Sequence, residues 1–245
     1  MTKIKWQINF FKSLGFVFIS LLIFFGCDTV ETSNNTTVSL SFYTGSSLQK
    51  VNASALELTE VKFLLSDIKL EMKDSTDSED DDSEFYTLIP GPFVVNLNLD
   101  GMLTDYIVSD VSPGLYEEVK FNIHKVDASE TPPDPEFKDG DADSLRYSVI
   151  VKGNYNSGSF VYKSKNSVCQ KIEFEPPIQV IENNGLNLTF KVDPYSWFYK
   201  NDNFLDPSDP VNETYIDNKI KESFKEAYED DDHDGEDDDG GDYDD

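Results

Sequence analysis

The longest patterned stretch of the chain is Leu56 to Met72, which reads LELTEVKFLLSDIKLEM. Its apolar residues recur at every second position, and its many Val, Thr, Phe and Ile residues favour a strand over a helix, the competing interpretation. The apolar positions change parity at Ser66-Asp67. Because successive strand residues face opposite sides of a sheet, this change predicts a β-bulge or a tight bend within one long strand.

Shorter stretches with the same alternation lie on both sides of this strand. Turn-forming residues such as Ser112-Pro113-Gly114 and Asn183-Asn184-Gly185 separate them. About nine short strands at this spacing predict a mostly β fold, an antiparallel β-sandwich of the Ig-like or transthyretin-like type over residues 37–200. Residues 127–143 contain three prolines and several acids, which predicts one long loop.

The chain changes character after the predicted sandwich. Asp209 and Pro210 are the residue types preferred at a helix N-cap and first position. Large apolar residues then recur every four positions, at Ile216, Ile220, Phe224 and Tyr228. This spacing predicts a linker and a packed amphipathic helix within residues 201–228. Residues 229–245 are almost entirely Asp, Glu and Gly and form an acidic tail.

The chain is strongly acidic. Its 245 residues include 20 Lys and Arg against 48 Asp and Glu, a formal net charge of −28. A nucleic-acid binder needs a basic face that neutralises phosphates, so this balance excludes that class of protein. Hydrophobic residues make up 38% of the chain, which is enough apolar material for one folded core.

The amino end has the organisation of an export signal. Lys3, Lys5 and Lys12 accompany an uncharged apolar run of roughly 14 residues that ends before Cys27, whereas roughly 20 are needed to cross a bilayer. The letters LIFFGC at 22–27 resemble the lipobox of bacterial lipoproteins, which implies cleavage before Cys27 and acylation of its thiol. The alternative is an ordinary signal peptide that contains a cysteine.

Residues 1–26 are therefore predicted to be a lipoprotein signal peptide, and residues 27–36 a polar tether. Acyl chains on Cys27 would make the membrane a partner of the protein and place it in the cell envelope, at the outer membrane or the periplasmic face. Lipidation leaves Cys169 without a disulfide partner. Since no base lies beside Cys169 in its strand-like stretch, we expect a buried or inert thiol there.

The sharpest local motif is DDDHDG, residues 230–235. It fits D-x-D-x-D-G, in which carboxylates converge on a hard cation and glycine makes the tight turn. The predicted calcium ligands are Asp230, Asp232, Asp234, Glu236 through its backbone carbonyl, and Asp238. We expect a helix to lead into this loop, as in half an EF-hand, although Gly241 stands where a bidentate glutamate would be. Two interpretations stay open: weak calcium binding, and a solvated polyanionic tail that matches the motif by chance.

Four segments of the chain carry a resemblance to a known family. They are 57–70 (ELTEVKFLLSDIKL), 112–123 (SPGLYEEVKFNI), 174–198 and 206–237. Together they resemble exported β-sandwich lipoproteins of unknown function from Bacteroidota-type bacteria. The resemblance covers most of the chain after the leader and implies a lipid-anchored domain.

A second resemblance covers only residues 56–127. LLSDI at 64–68 and the Pro-Gly-x-Tyr turn at 113–116 are similar to periplasmic proteins associated with copper acquisition. This resemblance implies metal handling as an alternative function. Its donors would have to come from His124, His233, Met72, Met102 and Trp197.

The residues give catalysis little support. There is no phosphate-binding loop, nucleophile elbow or zinc-ligand spacing, and His124 is the single histidine of the predicted sandwich. We therefore expect a non-catalytic binding or structural module, with calcium as its candidate cofactor and an envelope protein or glycan as its partner. A carboxylate-based hydrolase is a further alternative, since so acidic a chain offers many carboxylate pairs.

Overall fold

The computed structural model of the chain describes residues 36–44, 55–73, 85–89, 91–230 and 232–238. About half of these residues lie in β-strands, and their one α-helix lies near the C-terminal end, as the sequence predicts. Among the described residues, no helix has both the length and the apolar character needed to span a bilayer. The predicted signal peptide, Cys27, nearly all of the tether and Gly241 lie outside the described residues.

The described residues form thirteen strands and one helix. In chain order the strands are β1 (Thr36–Tyr43), β2 (Leu56–Met72), β3 (Phe85–Ile89), β4 (Phe93–Asn96), β5 (Thr104–Val111), β6 (Gly114–Ile123), β7 (Val149–Tyr155), β8 (Gly158–Ser164), β9 (Val168–Val180), β10 (Leu186–Lys191), β11 (Tyr199–Lys200), β12 (Asn203–Phe204) and β13 (Ala227–Glu229). The helix, α1, spans Glu213–Glu222. A four-stranded sheet has the order β13-β10-β1-β5, a second sheet has seven strands, and β11 pairs with β12.

Strand β2 organises the seven-stranded sheet because it pairs along both of its edges. β7 and then β6 follow one edge, and β4 and then β3 follow the other, all antiparallel to β2. β8 extends the sheet from β7, and β9 extends it from β6. Asp67 has a φ of 53° and the register shifts between Ser66 and Lys69, so the predicted bulge is confirmed.

The four-stranded sheet departs from the purely antiparallel arrangement that the sequence predicts. β1 pairs in parallel with β10, with Val38 opposite Leu186, and antiparallel with β5. A parallel pair requires a long crossover, so its two strands come from distant parts of the chain. A strand alternates in the same way whether its neighbour is parallel or antiparallel. The sequence pattern therefore could not assign the direction of pairing between β1 and β10.

The two large sheets share one hydrophobic core. At its centre five buried phenylalanines form a closed circuit of aromatic contacts, with neighbouring ring centroids 5.0–6.2 Å apart. In order around the circuit they are Phe42 (β1), Phe63 (β2), Phe224, Phe121 (β6) and Phe190 (β10). This five-Phe cluster joins both sheets to the segment that follows α1.

The C-terminal helix is shorter than the spacing of its apolar residues predicts. Asp209 caps a 3-10 turn that begins at Pro210, as expected, but α1 ends at Glu222. Phe224 is buried beyond the helix, and Tyr228 lies in β13, which pairs with β10. The spacing therefore identifies the buried residues but not their conformation, because pairing with β10 stabilises extended backbone there. A strand, and not the expected helix, leads into the acidic loop, so the folded sheet continues past residue 200.

The predicted long loop between β6 and β7 packs against the seven-stranded sheet. Phe137 is buried in a second, smaller core with Leu64, Val126, Tyr147 and Ile150. The buried ammonium group of Lys62 contacts Asp134 and lies 2.8 Å from Glu136, which Lys152 also approaches to 2.9 Å. Apolar burial and ion pairs thus give this loop a structural role.

The Glu136 carboxylate should make the fold sensitive to acid. Hydrogen bonds from Lys62 and then Lys152 lower the pKa of Glu136 from 4.5 to about 2. Because this pKa is lowered on folding, the stabilisation is complete above the unfolded value of 4.5 and is lost as the pH falls through about 2. The side chain is 45% exposed, so solvent screens the pairs. We expect Glu136→Gln to lower the free energy of unfolding by about 1 kcal/mol at pH 7 and to have little effect at the acid end of this window.

Urea unfolding at neutral pH, and again at a pH near the folded pKa of Glu136, measures how much unfolding free energy the substitution removes under each condition. Glu182→Gln, in an exposed turn, is the matched control and should leave stability unchanged at both values. An equal loss for Glu136→Gln at the two pH values would contradict the ion-pair explanation.

Candidate calcium-binding loop

The outer face of the four-stranded sheet carries polar side chains that are buried. Ser39 and Ser41 project from β1, and Asn187 and Thr189 project from the neighbouring β10. Ser41, Asn187 and Thr189 are buried, so this face of β1 and β10 is not open to water. The described residues after β13, 230 and 232–238, lie over them, and we call this segment the Asp230 loop.

Asp230 is fixed by the sheet beneath it and is 0% exposed. Its backbone amide donates to the carbonyl oxygen of Asn187 at 3.1 Å, and the side-chain amide of Asn187 donates to the carbonyl oxygen of Asp230 at 2.9 Å. The Thr189 hydroxyl donates to Asp230 Oδ2 at 2.9 Å. Two adjacent outward positions of β10 therefore hold both the backbone and the carboxylate of Asp230.

The loop backbone turns around the Asp230 carboxylate. The amide of Asp234 donates to Oδ1 at 3.0 Å, and the amide of Gly235 donates to Oδ2 at 3.1 Å. Gly235 has a φ of 85°, and a Cβ at this position would lie 3.1 Å from the ring of Tyr43. The backbone conformation favours glycine and the close approach leaves little room for a Cβ, at the position where the motif places glycine.

Three carboxylates converge in the Asp230 loop. Oxygens of Asp230, Asp232 and Asp238 all lie within 4.8 Å of one another, and no other group of three such His, Cys, Asp or Glu donors occurs in the described part of the chain. Calcium holds oxygen ligands at about 2.3–2.6 Å, so ligands on opposite sides of one ion are about 5 Å apart. The spacing of these three oxygens therefore suits a single calcium ion.

The remaining predicted ligands are placed differently. Asp234 Oδ1 accepts a hydrogen bond from the amide of Glu236 at 2.8 Å, which closes a turn inside the loop. Neither side-chain carboxylate belongs to the group of three converging donors. The amide of Asp238 donates to the carbonyl oxygen of Glu229 at 3.0 Å. This hydrogen bond places Asp238, the ninth residue of the motif, close to Asp230, the first.

The electrostatics of the loop favour a bound cation. The three donors to the Asp230 carboxylate, a hydroxyl and two amides, are all neutral. Carboxylates this close together repel each other, and a cation between them would relieve that repulsion. Burial and then the nearby Asp230 carboxylate raise the pKa of Tyr228, so its hydroxyl stays protonated and donates to the carbonyl oxygen of Gly235 at 2.7 Å.

Sequence reasoning did not identify the residues that support the loop. The Ser41 hydroxyl is placed to donate to Asn187 Oδ1 at 2.9 Å or to Asp105 Oδ1 at 2.7 Å, and His233 Nδ1 lies 3.5 Å from the same Asp105 oxygen. The one available signal was the alternation of Asn187 and Thr189 with apolar residues in β10. Such alternation indicates a polar face but does not say what covers it.

His124 and Cys169, which the sequence analysis also considered as functional residues, have different surroundings. His124 Nε2 lies 2.8 Å from Glu130 Oε2, and the three-donor group found among the described residues does not include His124. Cys169 is exposed, so the thiol that was expected to be buried or inert is not buried. The reason is the alternation of β9, in which Gln170 takes the buried position and Cys169 faces outward.

No protein-family model matches the chain, and comparisons with curated proteins and with solved structures also give no match.

Proposed function

We propose that the protein is a lipid-anchored, non-catalytic binding or structural module of the cell envelope whose Asp230 loop binds calcium. The observation that supports the calcium part is the buried Asp230 carboxylate, held by β10 within 4.8 Å of oxygens from Asp232 and Asp238. A calcium ion there would stabilise the loop in its position over β1 and β10. Its role would therefore be structural, keeping the C-terminal part of the chain folded against the sheet.

The donor set favours calcium over other cations. Oxygen ligands alone select a hard cation. Magnesium demands near-ideal octahedral geometry at about 2.0–2.1 Å, whereas calcium accepts irregular sets of carboxylate, carbonyl and water oxygens. Asp232 and Asp238 are exposed, so water can complete the shell. With Gly241 at the twelfth position, we expect the weak affinity of extracellular modules, a Kd of about 10⁻⁴–10⁻³ M.

The envelope part of the proposal rests on the sequence. Acyl chains on Cys27 would hold the protein at the outer membrane or the periplasmic face, and residues 27–36 would connect them to the domain. The two large sheets would be the layers of a β-sandwich of the Ig-like or transthyretin-like type, as in the Bacteroidota-type lipoproteins that the sequence resembles. An envelope protein or glycan would be the partner of the displayed domain.

Calcium should raise the thermal stability of the protein. With a Kd of about 1 mM, 10 mM calcium stabilises the folded state by about 1.4 kcal/mol, which raises the Tm of a domain of this size by about 3–6 °C. Thermal unfolding followed by circular dichroism in calcium, magnesium or EDTA measures the shift. We expect Asp232→Asn to abolish the calcium shift and to leave the Tm in EDTA unchanged, because Asp232 is exposed.

The matched control is Asp202→Asn. Asp202 is an exposed acid with a φ of 61°, a conformation that asparagine tolerates, and this variant should keep the full calcium shift. An absent shift in the unaltered protein, or an equal shift in Asp232→Asn, would show that the Asp230 loop does not bind calcium.

A further inference from the structure

Strand β9 ends the seven-stranded sheet. In the described residues it pairs with β6 along one side and with no strand along the other. A cavity of about 330 Å³ lies beside it, between residues 172–178 and 225–229. Pro176 and Pro177 cannot donate to a further strand, but residues 168–175 contain no proline. We call this proline-free stretch the β9 edge.

The sheet face next to the β9 edge carries charges in two rows. The acidic row consists of the cross-strand neighbours Glu71, Glu118 and Glu173, on β2, β6 and β9. The basic row, two residues away on each strand, consists of Lys69, Lys120 and Lys171. Ion pairs between the rows offset the repulsion within each, since Lys120 lies 2.9 Å from Glu71 and 2.8 Å from Glu118.

The rows end at β9 with Lys171 and Glu173, whose side chains are 51% and 65% exposed. Open strand edges are commonly protected from self-association by charge, lysine above all. Here a lysine is followed two residues later by a glutamate on the same face, so two copies of the edge can complement each other. The order of charges along β9 therefore selects a register.

Only some registers keep the faces of the two sheets aligned. When two identical edges pair antiparallel around a two-fold axis, side-chain alternation requires the axis to pass through a residue, not between residues. An axis at Lys171 sets two lysines directly opposite each other, which is unfavourable. An axis at Glu173 sets two glutamates opposite each other, and this repulsion offsets part of the gain from the two Lys171–Glu175 pairs that it also forms. An axis at Ile172 sets Lys171 opposite Glu173 of the second copy, and does so twice.

We propose that two copies of this chain associate by antiparallel pairing of their β9 edges, centred on Ile172. The acidic row of each copy then continues into the basic row of the other, and the two seven-stranded sheets become one continuous sheet. The pairing runs from Cys169 to Glu175. Cys169 of each copy lies opposite Glu175 of the other copy. Each copy is highly acidic, so association needs about 0.15 M salt, where the Debye length is about 8 Å.

A disulfide tests this register. In Glu175→Cys the new thiol lies opposite Cys169 of the second copy, with Cβ atoms about 4.5–5.5 Å apart, which is near the range that a disulfide spans. Within one copy, residues 169 and 175 are roughly 20 Å apart along the strand. The full chain carrying Glu175→Cys, treated with a mild oxidant, should run as a covalent dimer on a non-reducing gel.

Two matched variants control the disulfide test. Gln179→Cys, on the same face of β9 but beyond the prolines, should stay monomeric. The double variant Cys169→Ser, Glu175→Cys should also stay monomeric, which excludes a link through Cys27. Equal cross-linking of Glu175→Cys and Gln179→Cys would overturn the proposed register.

Charge exchange tests the same pairing without a cross-link. Lys171→Glu and Glu173→Lys each set like charges opposite each other twice, and each should raise the dimer dissociation constant by about tenfold or more. An equimolar mixture of the two variants restores opposite charges at both places and should dimerise like the unaltered chain.

Sedimentation equilibrium of the full chain in detergent micelles at 0.15 M salt measures these constants, and circular dichroism verifies that each variant is folded. A monomeric unaltered chain would overturn the proposal. So would single variants that dimerise as tightly as the mixture. The proposal does not depend on calcium binding, so the same measurement in EDTA should give the same result.

Discussion

Phe63→Ala is expected to lower the free energy of unfolding by about 3–5 kcal/mol. Phe63 is buried, and its ring centroid lies 5.7 Å from that of Phe42 and 5.0 Å from that of Phe224. Truncation opens a cavity between the two sheets and removes two contacts of the five-Phe cluster. Urea unfolding followed by the fluorescence of Trp197 measures the loss, since Trp197 is buried 6.4 Å from Phe224.

The control for this prediction is Val161→Ala. Val161 belongs to the same sheet, on β8, but is exposed, so its truncation should change the free energy of unfolding by no more than about 0.5 kcal/mol. If Phe63→Ala cost as little as Val161→Ala, the two sheets would not share the core described above.

Cys27→Ser is expected to abolish the incorporation of radiolabelled palmitate completely. The residues before Cys27 have the basic start and short apolar run that are typical of an export signal, and the last of them resemble a lipobox. Two or three acyl chains on one residue hold a protein stably on a membrane, whereas a single chain gives reversible binding. Loss of this cysteine therefore removes the proposed anchor, and gel autoradiography of the labelled protein reports the result.

Cys169→Ser is the matched control, because Cys169 is the other cysteine of the chain. It should leave palmitate labelling unchanged. Label that persists in Cys27→Ser, or that disappears in Cys169→Ser, would place the acyl chain elsewhere and remove the basis for the envelope location proposed here.

The β-strands were the most predictable part of the fold, because their signals are local. Period-two alternation identified β2, and the change of parity at Ser66-Asp67 located its bulge. Asn183, in a predicted turn, has a φ of 60°, a conformation that asparagine adopts more readily than most residues. These features depend on residues that are neighbours in the chain.

Features that depend on distant pairing could not be predicted in the same way. The segment around Tyr228 has helical spacing, yet it forms β13 because β10 offers it a partner. The parallel alignment of β1 with β10 joins residues about 150 positions apart. Neither pairing produces a recognisable pattern in the local sequence, since a strand alternates in the same way whichever neighbour it has.

The same distinction between local and distant interactions applies to the candidate calcium site. The sequence by itself determined the order of the carboxylates in residues 230–238 and the need for glycine at 235, because the spacing of ligands and the positive φ of a turn are set within a few residues. Only the tertiary structure decided that Asp230 is buried and that Asp238 returns to its side. The physical reason is that Thr189, 41 positions away in the chain, and Asn187 hold Asp230 in place, and residues so distant meet only after the sheets have formed.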